Sequence, residues 1–267
     1  MAKECLFCKS DSTSSKSVEH IVPESLWNTQ HVLPPGVVCD ACNNYFAREV
    51  EKPFLDSSAM TQLRFQEAIP NKRGRVPVGS ALLAPGFPVV AHRHLDGPVK
   101  LTLDVPPEAF AHILNAPNGT LVIPASGTPP EKRVISRFLA KMAIEALAHR
   151  LLRVDGGVSY VANEVQFDPL RRFARRGEPK AWPHHARRLY PAHRQLTDED
   201  GNAYQTVHEF DFLVTDRNEW YFLFTLFGLE LVINVGGPDI DGYVEWLRVN
   251  QGASPLYHGK NAKPNAS

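Results

Sequence analysis

The sequence CLFC at residues 5–8 is matched by CDAC at residues 39–42, and the two pairs hold all four cysteines of the 267-residue chain. Four thiolates arranged tetrahedrally are the ligand set of a closed structural zinc site. In a reducing compartment, paired thiols of this spacing indicate a metal rather than a disulfide. A redox role is less well supported, because neither pair is set in a thioredoxin-like strand-to-helix turn. The sequence therefore predicts one structural Zn²⁺ with four ligands, namely Cys5, Cys8, Cys39 and Cys42.

The composition is that of a globular chain. Hydrophobic residues make up 43% and charged residues 22% of the sequence, which is enough apolar side chain for a core and excludes a disordered protein. The formal net charge is zero. A balanced charge argues mildly against a nucleic-acid partner, but it permits local basic faces.

The sequence contains no recognisable leader or membrane span. The N-terminal stretch MAKECLFCKSDSTSSK has no apolar run, so it does not resemble a signal peptide. The longest apolar region, WYFLFTLFGLELVINV at 220–235, is interrupted by Thr225, Gly228 and Glu230. We therefore expect a cytoplasmic protein without a membrane partner.

The composition divides the chain near residue 56. Residues 1–56 contain every cysteine and end in CNNYFAREVEKPFL, in which Phe46, Val50 and Phe54 recur every four residues and predict a helix. A module of this size buries too little apolar surface to be stable alone, so a stabilising metal is physically expected.

Residues 57–267 are predicted to form a larger mixed α+β domain. PPEKRVISRFLAKMAIEALAHRLL, which begins near Pro130, has apolar residues at helical spacing and is followed by a glycine pair at 156–157 that would end the helix. Residues 205–237 are typical of antiparallel strands, with a turn at TDRNE.

A further motif lies between the cysteine pairs. SVEHIVPESL occupies residues 17–26, and NNYF directly follows the second pair. In this order of motifs (CxxC, acid–His–Ile–x–Pro, CxxC–Asn), residues 5–56 resemble the HNH endonucleases, the ββα-metal nucleases, and in particular their subgroup with paired CxxC zinc motifs. The resemblance implies an α+β fold in which a zinc-stapled ββα-metal module, residues 1–56, precedes the larger mixed α+β domain with antiparallel strands.

The resemblance also implies the roles of three residues. In the family, the acid before the histidine binds a divalent cation, and the histidine is the general base that activates water. The residue after the second CxxC is the other cation ligand. These positions are Glu19, His20 and Asn43 in this chain. The implied catalytic cation is Mg²⁺ or Mn²⁺, in addition to the structural zinc.

The chemistry of these residues agrees with the implied roles, although the chain departs from the family pattern. Carboxylate and amide oxygens suit a hard cation, and an imidazole titrates near neutral pH. Glu19 replaces the more usual Asp, Asn43 replaces His, and Pro34 stands where the family has a central Asn. Taken singly, Glu19, His20 and Asn43 are also explained as a strand residue, an interior histidine and a helix cap. The alternative is therefore a non-catalytic zinc-dependent nucleic-acid-binding or regulatory protein derived from the same module.

A basic segment at 171–194, RRFARRGEPKAWPHHARRLYPAHR, has eight Lys and Arg residues against one Glu. Together with Trp182 and Tyr190, these charges suit phosphate contacts and base stacking, although a charge run is more often only a solvated face. Because the segment accompanies a nuclease-like module, we predict that six arginines contact nucleic acid, namely Arg171, Arg172, Arg175, Arg176, Arg187 and Arg188.

The predicted function is that of a metal-dependent endonuclease that hydrolyses phosphodiester bonds in nucleic acid, with DNA as the expected substrate. The role of residues 57–267 is left open among substrate positioning, partner binding and homodimerisation.

Overall fold

The computed structural model describes residues 4–71, 73–95, 100–115, 118–198 and 200–257. The chain forms two compact units, and the first is assembled from three separate segments. This first unit comprises Met1–Val22, Thr29–Glu51 and Glu131–Ser267, and the second comprises Pro23–Asn28 and Lys52–Pro130. The boundary predicted between residues 56 and 57 stays a prediction, because the compact units divide the chain at other places.

The described part of the chain contains α-helices and antiparallel strands. The α-helices are α1 (Asp40–Phe46), α2 (Lys52–Leu55), α3 (Ser58–Gln66), α4 (Pro107–Asn115), α5 (Lys132–Arg150), α6 (Gly157–Asn163), α7 (Asp168–Arg176) and α8 (Asp241–Val249). The strands are β1 (Glu19–His20), β2 (Val32–Leu33), β3 (Gly79–Leu83), β4 (Phe87–His94), β5 (Lys100–Asp104), β6 (Leu121–Val122), β7 (His184–Arg188), β8 (Leu196–Thr197), β9 (Ala203–Tyr204), β10 (His208–Val214), β11 (Trp220–Leu226) and β12 (Leu229–Asn234).

The N-terminal part of the first unit is a small ββα arrangement. Strands β1 and β2 pair antiparallel, with Glu19 opposite Leu33 and His20 opposite Val32. Helix α1 begins directly after Cys39, whose Sγ accepts a hydrogen bond from the backbone N–H of Cys42 at the first turn. The helix predicted over 42–55 is observed as α1, a π-helical turn over Ala47–Glu51, and α2. Such turns are rare and often occur at functional sites.

The C-terminal part of the first unit packs one long helix on an antiparallel sheet. The sheet has the strand order β10-β11-β12-β7. Helix α5 contacts three of these strands, and the rings of Phe138 and Phe224 lie 6.0 Å apart in the interface. The long helix and the antiparallel strands are thus confirmed, and the turn at 215–219 joins β10 to β11.

The second unit has its own antiparallel sheet, of strand order β5-β4-β3-β6. Its core is formed by small and aromatic side chains from the sheet, α3 and α4, among them Phe65, Ala81, Val89 and Ala109. Gly79 lies against the ring of Phe65, where a Cβ atom would approach a ring carbon to 2.7 Å. A side chain larger than hydrogen at this position would therefore force the ring to shift.

The fold class is α+β, as predicted, with antiparallel sheets and the cysteine cluster in the N-terminal region. Among the residues that the structure describes, no helix has the length and apolar character needed to cross a membrane.

Candidate active site and zinc centre

The four cysteines converge in the first unit. Their Sγ atoms all lie within 4.8 Å of one another, and the Cys8 and Cys39 sulfurs are 3.6 Å apart. Tetrahedral coordination with Zn–S bonds of about 2.3 Å separates sulfur ligands by about 3.8 Å. Cys5, Cys39 and Cys42 are buried, and Cys8 is partly exposed. The donor set and its spacing therefore fit a closed structural zinc site.

Backbone hydrogen bonds fix the sulfur atoms in place. The N–H of Cys39 donates to Cys5 Sγ at 3.3 Å, and the N–H of Cys42 donates to Cys39 Sγ at 3.4 Å. A hydrogen bond from the Cys42 side chain lowers the pKa of Cys5 to about 4, and the same bond, together with burial, raises the pKa of Cys42. Thiolates are the form that binds zinc, and the low pKa of Cys5 favours that form at this ligand.

Strand β1 carries the two candidate catalytic residues. Glu19 is buried and His20 is partly exposed. Helix α5 contacts both through Lys141, whose Nζ lies 2.8 Å from Glu19 Oε1 and donates a 2.9 Å hydrogen bond to the carbonyl oxygen of His20. The strand is thus held by a side chain from the distant C-terminal part of the chain.

The imidazole of His20 is left with a buried nitrogen. Its Nδ1 atom is shielded from solvent and has no hydrogen-bond partner among the residues that the structure describes. Buried polar atoms in folded proteins are nearly always paired, and the exceptions often belong to a functional site. Nδ1 of His185 is in the same state, so this feature by itself does not distinguish a catalytic histidine.

Asn43 lies beside the start of the same strand. Its Nδ2 donates to the carbonyl oxygen of Val18 at 3.1 Å, which engages the amide nitrogen and leaves the amide oxygen as the donor atom for a cation. One turn earlier, the carboxylate of Asp40 accepts a 2.9 Å hydrogen bond from the N–H of Ser17. Helix α1 is therefore fixed along the chain that leads into Glu19, and the oxygen donors fit a hard divalent cation.

A buried charge cluster surrounds Lys141, and sequence analysis missed it. The ammonium lies 2.7 Å from Glu51 Oε1 and 3.0 Å from Glu145 Oε2, in addition to Glu19. Burial lowers the pKa of Lys141, but the charges of Glu145, Glu19 and Glu51 outweigh it and raise that pKa well above its usual value. Burial raises the pKa of Glu145. The signal was a Lys and a Glu four residues apart inside the apolar stripe of α5.

Three of the six predicted nucleic-acid-binding arginines make contacts within the protein. Arg171 is 3% exposed and donates to the carboxylate of Asp168 and the carbonyl oxygen of Val161. Arg187 pairs with Glu230 and donates to the carbonyl oxygen of Gly252, and Arg188 donates to that of Phe227. Arg187 is partly exposed and Arg188 is exposed, and the prediction that these three arginines contact nucleic acid stays a prediction.

The four arginines of α7, Arg171 among them, line a cavity of about 280 Å³ next to the zinc centre. They share this cavity with Asp168 and with three residues of the first cysteine loop, namely Phe7, Cys8 and Lys9. Arg172 and Arg176 are exposed, and Arg175 is partly exposed. The structure therefore brings five basic side chains to one side of the zinc centre, and the carboxylate of Asp168 pairs with two of them, Lys9 at 2.8 Å and Arg171.

The comparison with protein families agrees with this geometry. Residues 5–58 match the family model of the HNH endonucleases. No curated protein and no solved structure matches the chain. The matched segment contains the four cysteines, Glu19, His20 and Asn43. The match covers 54 of the 267 residues, and over this segment the chain is similar to an HNH endonuclease domain.

Proposed function

We propose that the protein is a metal-dependent endonuclease that hydrolyses phosphodiester bonds in DNA. The observation that carries the proposal is the 3.1 Å hydrogen bond from Asn43 Nδ2 to the carbonyl oxygen of Val18. It ties the helix that starts in the zinc site to the strand that carries Glu19 and His20. The three candidate residues are thereby held in one small ββα frame, although each of them alone has an ordinary structural explanation.

His20 is the proposed general base. It is partly exposed, which leaves part of the residue accessible to water, while its Nδ1 is shielded from solvent. An imidazole that accepts a proton from the attacking water accelerates hydrolysis by about 10²- to 10⁴-fold. The products by family analogy carry a 5′-phosphate and a 3′-hydroxyl.

Glu19 and Asn43 are the proposed ligands of the catalytic cation, Mg²⁺ or Mn²⁺. When bound, such a cation neutralises charge on the phosphoryl oxygens and stabilises the leaving alkoxide. The carboxylate of Glu19 would supply one oxygen while its Oε1 stays on Lys141, and the amide oxygen of Asn43 would supply a second. Zn²⁺ on the four cysteines is the structural metal.

The basic cavity next to the zinc centre is the proposed phosphate-binding surface. Of the six arginines predicted to contact nucleic acid, we retain Arg172, Arg175 and Arg176, which line it together with Lys9, Arg171 and Asp168. Arg171, Arg187 and Arg188 are assigned to structural roles because their guanidinium groups bind groups of the protein itself. Contacts to phosphate make binding salt-dependent without adding sequence specificity.

A second candidate function is supported by the contact between Lys141 and Glu19. An ammonium 2.8 Å from Glu19 Oε1 could take the place of the catalytic cation, and Pro34 stands at the family's central Asn position. The protein would then be a non-catalytic nucleic-acid-binding or regulatory module. We also keep homodimerisation and a cytoplasmic location as proposals, and both rest on the sequence alone.

A plasmid-nicking assay tests the proposed activity. Zinc-loaded protein is incubated with supercoiled DNA in EDTA, Mg²⁺ or Mn²⁺, with single-stranded DNA and RNA tested in parallel. We expect nicked and linear DNA only when a divalent cation is added. Absence of cleavage with either cation on all three nucleic acids, with binding retained, would favour the non-catalytic module.

A further inference from the structure

Lys141 joins three parts of the first unit at one atom. Its Nζ lies within 3.0 Å of an oxygen of each of three glutamates, namely Glu19 on β1, Glu51 in the π-helical turn and Glu145 on α5. It also donates to the carbonyl oxygen of His20 at 2.9 Å. The side chain is fully buried, so this set of oxygens replaces its hydration.

Stability alone is a weak explanation for this lysine. A buried ion pair costs several kcal/mol in desolvation, and replacing such a group with apolar residues of similar volume is often neutral or stabilising. The neighbouring positions of α5 show that apolar residues suit this surface, since Leu139, Met142 and Ala143 are fully buried. Packing alone therefore does not explain why a lysine occupies position 141.

The contacts of Lys141 fall on the two proposed catalytic residues. A carboxylate is planar, so an ammonium that holds Oε1 of Glu19 also limits the direction of the second oxygen. The hydrogen bond to the His20 carbonyl fixes the backbone from which the imidazole projects. Hydrogen-bonding partners behind a metal ligand orient it in this way and tune its affinity for the metal.

We propose that Lys141 is a positioning residue of the nuclease site, which orients Glu19 toward the divalent cation and fixes the backbone of His20. This inference rests on the proposed function. Glu145 and Glu51 complete the arrangement by holding the ammonium from two further directions. Because the cluster has three carboxyl groups and one ammonium, Lys141 does not give the site a net positive charge that would repel a cation.

The experiment measures Mn²⁺ binding in the absence of nucleic acid. Full-length zinc-loaded protein is titrated with Mn²⁺ and followed by the electron paramagnetic resonance signal of the free ion. The test variant is Lys141→Met/Glu145→Gln, which removes the ammonium together with the carboxyl group of its neighbour on α5. The matched control is Glu145→Gln alone, which changes the same buried cluster but keeps the lysine and its contacts with Glu19 and His20.

We expect the double variant to bind Mn²⁺ about 10- to 100-fold more weakly than the control, the usual effect of losing such a supporting contact. Plasmid nicking should fall in parallel, while zinc content stays at one ion per chain. A purely structural lysine would change thermal stability in both variants and leave Mn²⁺ affinity equal between them. Equal affinity in a nicking-competent protein therefore overturns the inference and leaves the proposed function intact.

Two further outcomes are decisive. Tighter Mn²⁺ binding by the double variant means that the ammonium competes with the cation, which overturns the positioning role. A parent protein that neither binds Mn²⁺ nor nicks DNA overturns the proposed function, and the inference with it.

A second variant is used if circular dichroism shows that Lys141→Met/Glu145→Gln does not fold. This variant, Lys141→Gln/Glu145→Gln, retains a hydrogen-bond donor at position 141. It should then show a smaller loss of Mn²⁺ affinity, and an unchanged affinity would again overturn the inference.

Discussion

Arg137 donates a 2.8 Å hydrogen bond to the hydroxyl of Tyr45, which lies 92 positions earlier in the chain. The same guanidinium donates to the carbonyl oxygen of Arg175, and so does the Tyr45 hydroxyl. The helix that leaves the zinc site is therefore bonded to both α5 and α7. Zinc binding and the packing of the C-terminal helices are linked within one compact unit.

This linkage leads to a prediction for Cys39→Ser. The free energy of structural zinc binding is on the order of 10 kcal/mol, comparable with the whole stability of a domain. We expect zinc content to fall from one ion per chain to nearly none, and hydrogen exchange to increase in α5 as well as in residues 5–46. Elemental analysis and hydrogen-exchange mass spectrometry measure the two effects.

Asn44→Ala is the control for this experiment, because Asn44 is exposed on the same helix and is not a zinc ligand. It should retain zinc and parental exchange. If Cys39→Ser loses zinc but α5 keeps its protection, residues 1–56 are the separate module that the composition predicts, and the linkage through Arg137 is too weak to transmit unfolding.

The features that sequence analysis predicted correctly are local ones. They are the cysteine pairs, the helix over 42–55 and the long helix near 130. Each depends on residue spacings of a few positions, and such spacings are visible in the sequence itself. The contact between Lys141 and the His20 carbonyl joins residues 121 positions apart. No periodicity or motif encodes such a contact, so the cluster around Lys141 emerged only from the structure.

The basic segment shows the same limit at shorter range. Arg171 and Arg172 are adjacent and chemically identical, yet the first is buried against Asp168 and the second is exposed. Their difference is set by which face of α7 meets Val161 of α6 and Glu164, and composition carries no information about that face. The sequence predicted a basic surface, and the structure shows that one of the arginines that line the cavity, Arg171, is also bound by groups of the protein itself.

The exposed arginines of α7 give a prediction about salt dependence. We expect Arg172→Ala/Arg176→Ala to weaken binding to uncleavable DNA across all sequences. It should reduce the slope of log K against log salt by about 1.8, since each lost phosphate contact contributes about 0.9. Arg248→Ala is the control, because Arg248 is exposed and pairs with Glu245 on α8. Equal slopes for the variant and the parent would exclude the cavity next to the zinc centre as a phosphate-binding surface.

His184 gives a prediction about pH. Burial, followed by the nearby charges of Lys132 and His185, lowers its pKa to about 4, and its Nδ1 lies 2.8 Å from Ser136 Oγ. Between pH 6.5 and 4 the unfolded chain binds a proton that the folded chain does not. Stability contributed by neutral His184 is therefore present above pH 6.5 and is lost as the pH falls toward 4.

The measurement is the free energy of unfolding in urea at pH 7.5 and at pH 4.5. We expect the parent to lose more stability than His184→Asn between these two values, because the variant has no imidazole to protonate. Comparison of the two proteins cancels the contribution of the carboxylates and of zinc release. An identical loss in both would show that His184 titrates normally in the folded protein.

Asn43→Ala tests the proposed cation ligand. Removing one oxygen donor should raise the Mn²⁺ concentration needed for half-maximal nicking, with activity partly restored at high Mn²⁺. Asn44→Ala, one residue further along α1, should keep the parental Mn²⁺ dependence. Nicking by Asn43→Ala that is reduced equally at every Mn²⁺ concentration would show that Asn43 acts other than as a ligand.

His20→Ala tests the proposed general base and is the clearest test of catalysis. Lys141 contacts the backbone carbonyl of His20 and not its imidazole, so alanine keeps that contact. The side chain is neither a zinc ligand nor fully buried, so zinc content, folding and DNA binding should match the parent. Nicking should fall by about 10²- to 10⁴-fold, and high Mn²⁺ should not restore it, because a proton acceptor rather than a ligand is missing.

The control is His193→Ala, which removes an exposed histidine elsewhere in the same unit and should nick like the parent. Parental activity in His20→Ala would refute the assignment of the base, and loss of zinc or of the fold would show that the imidazole has a structural role.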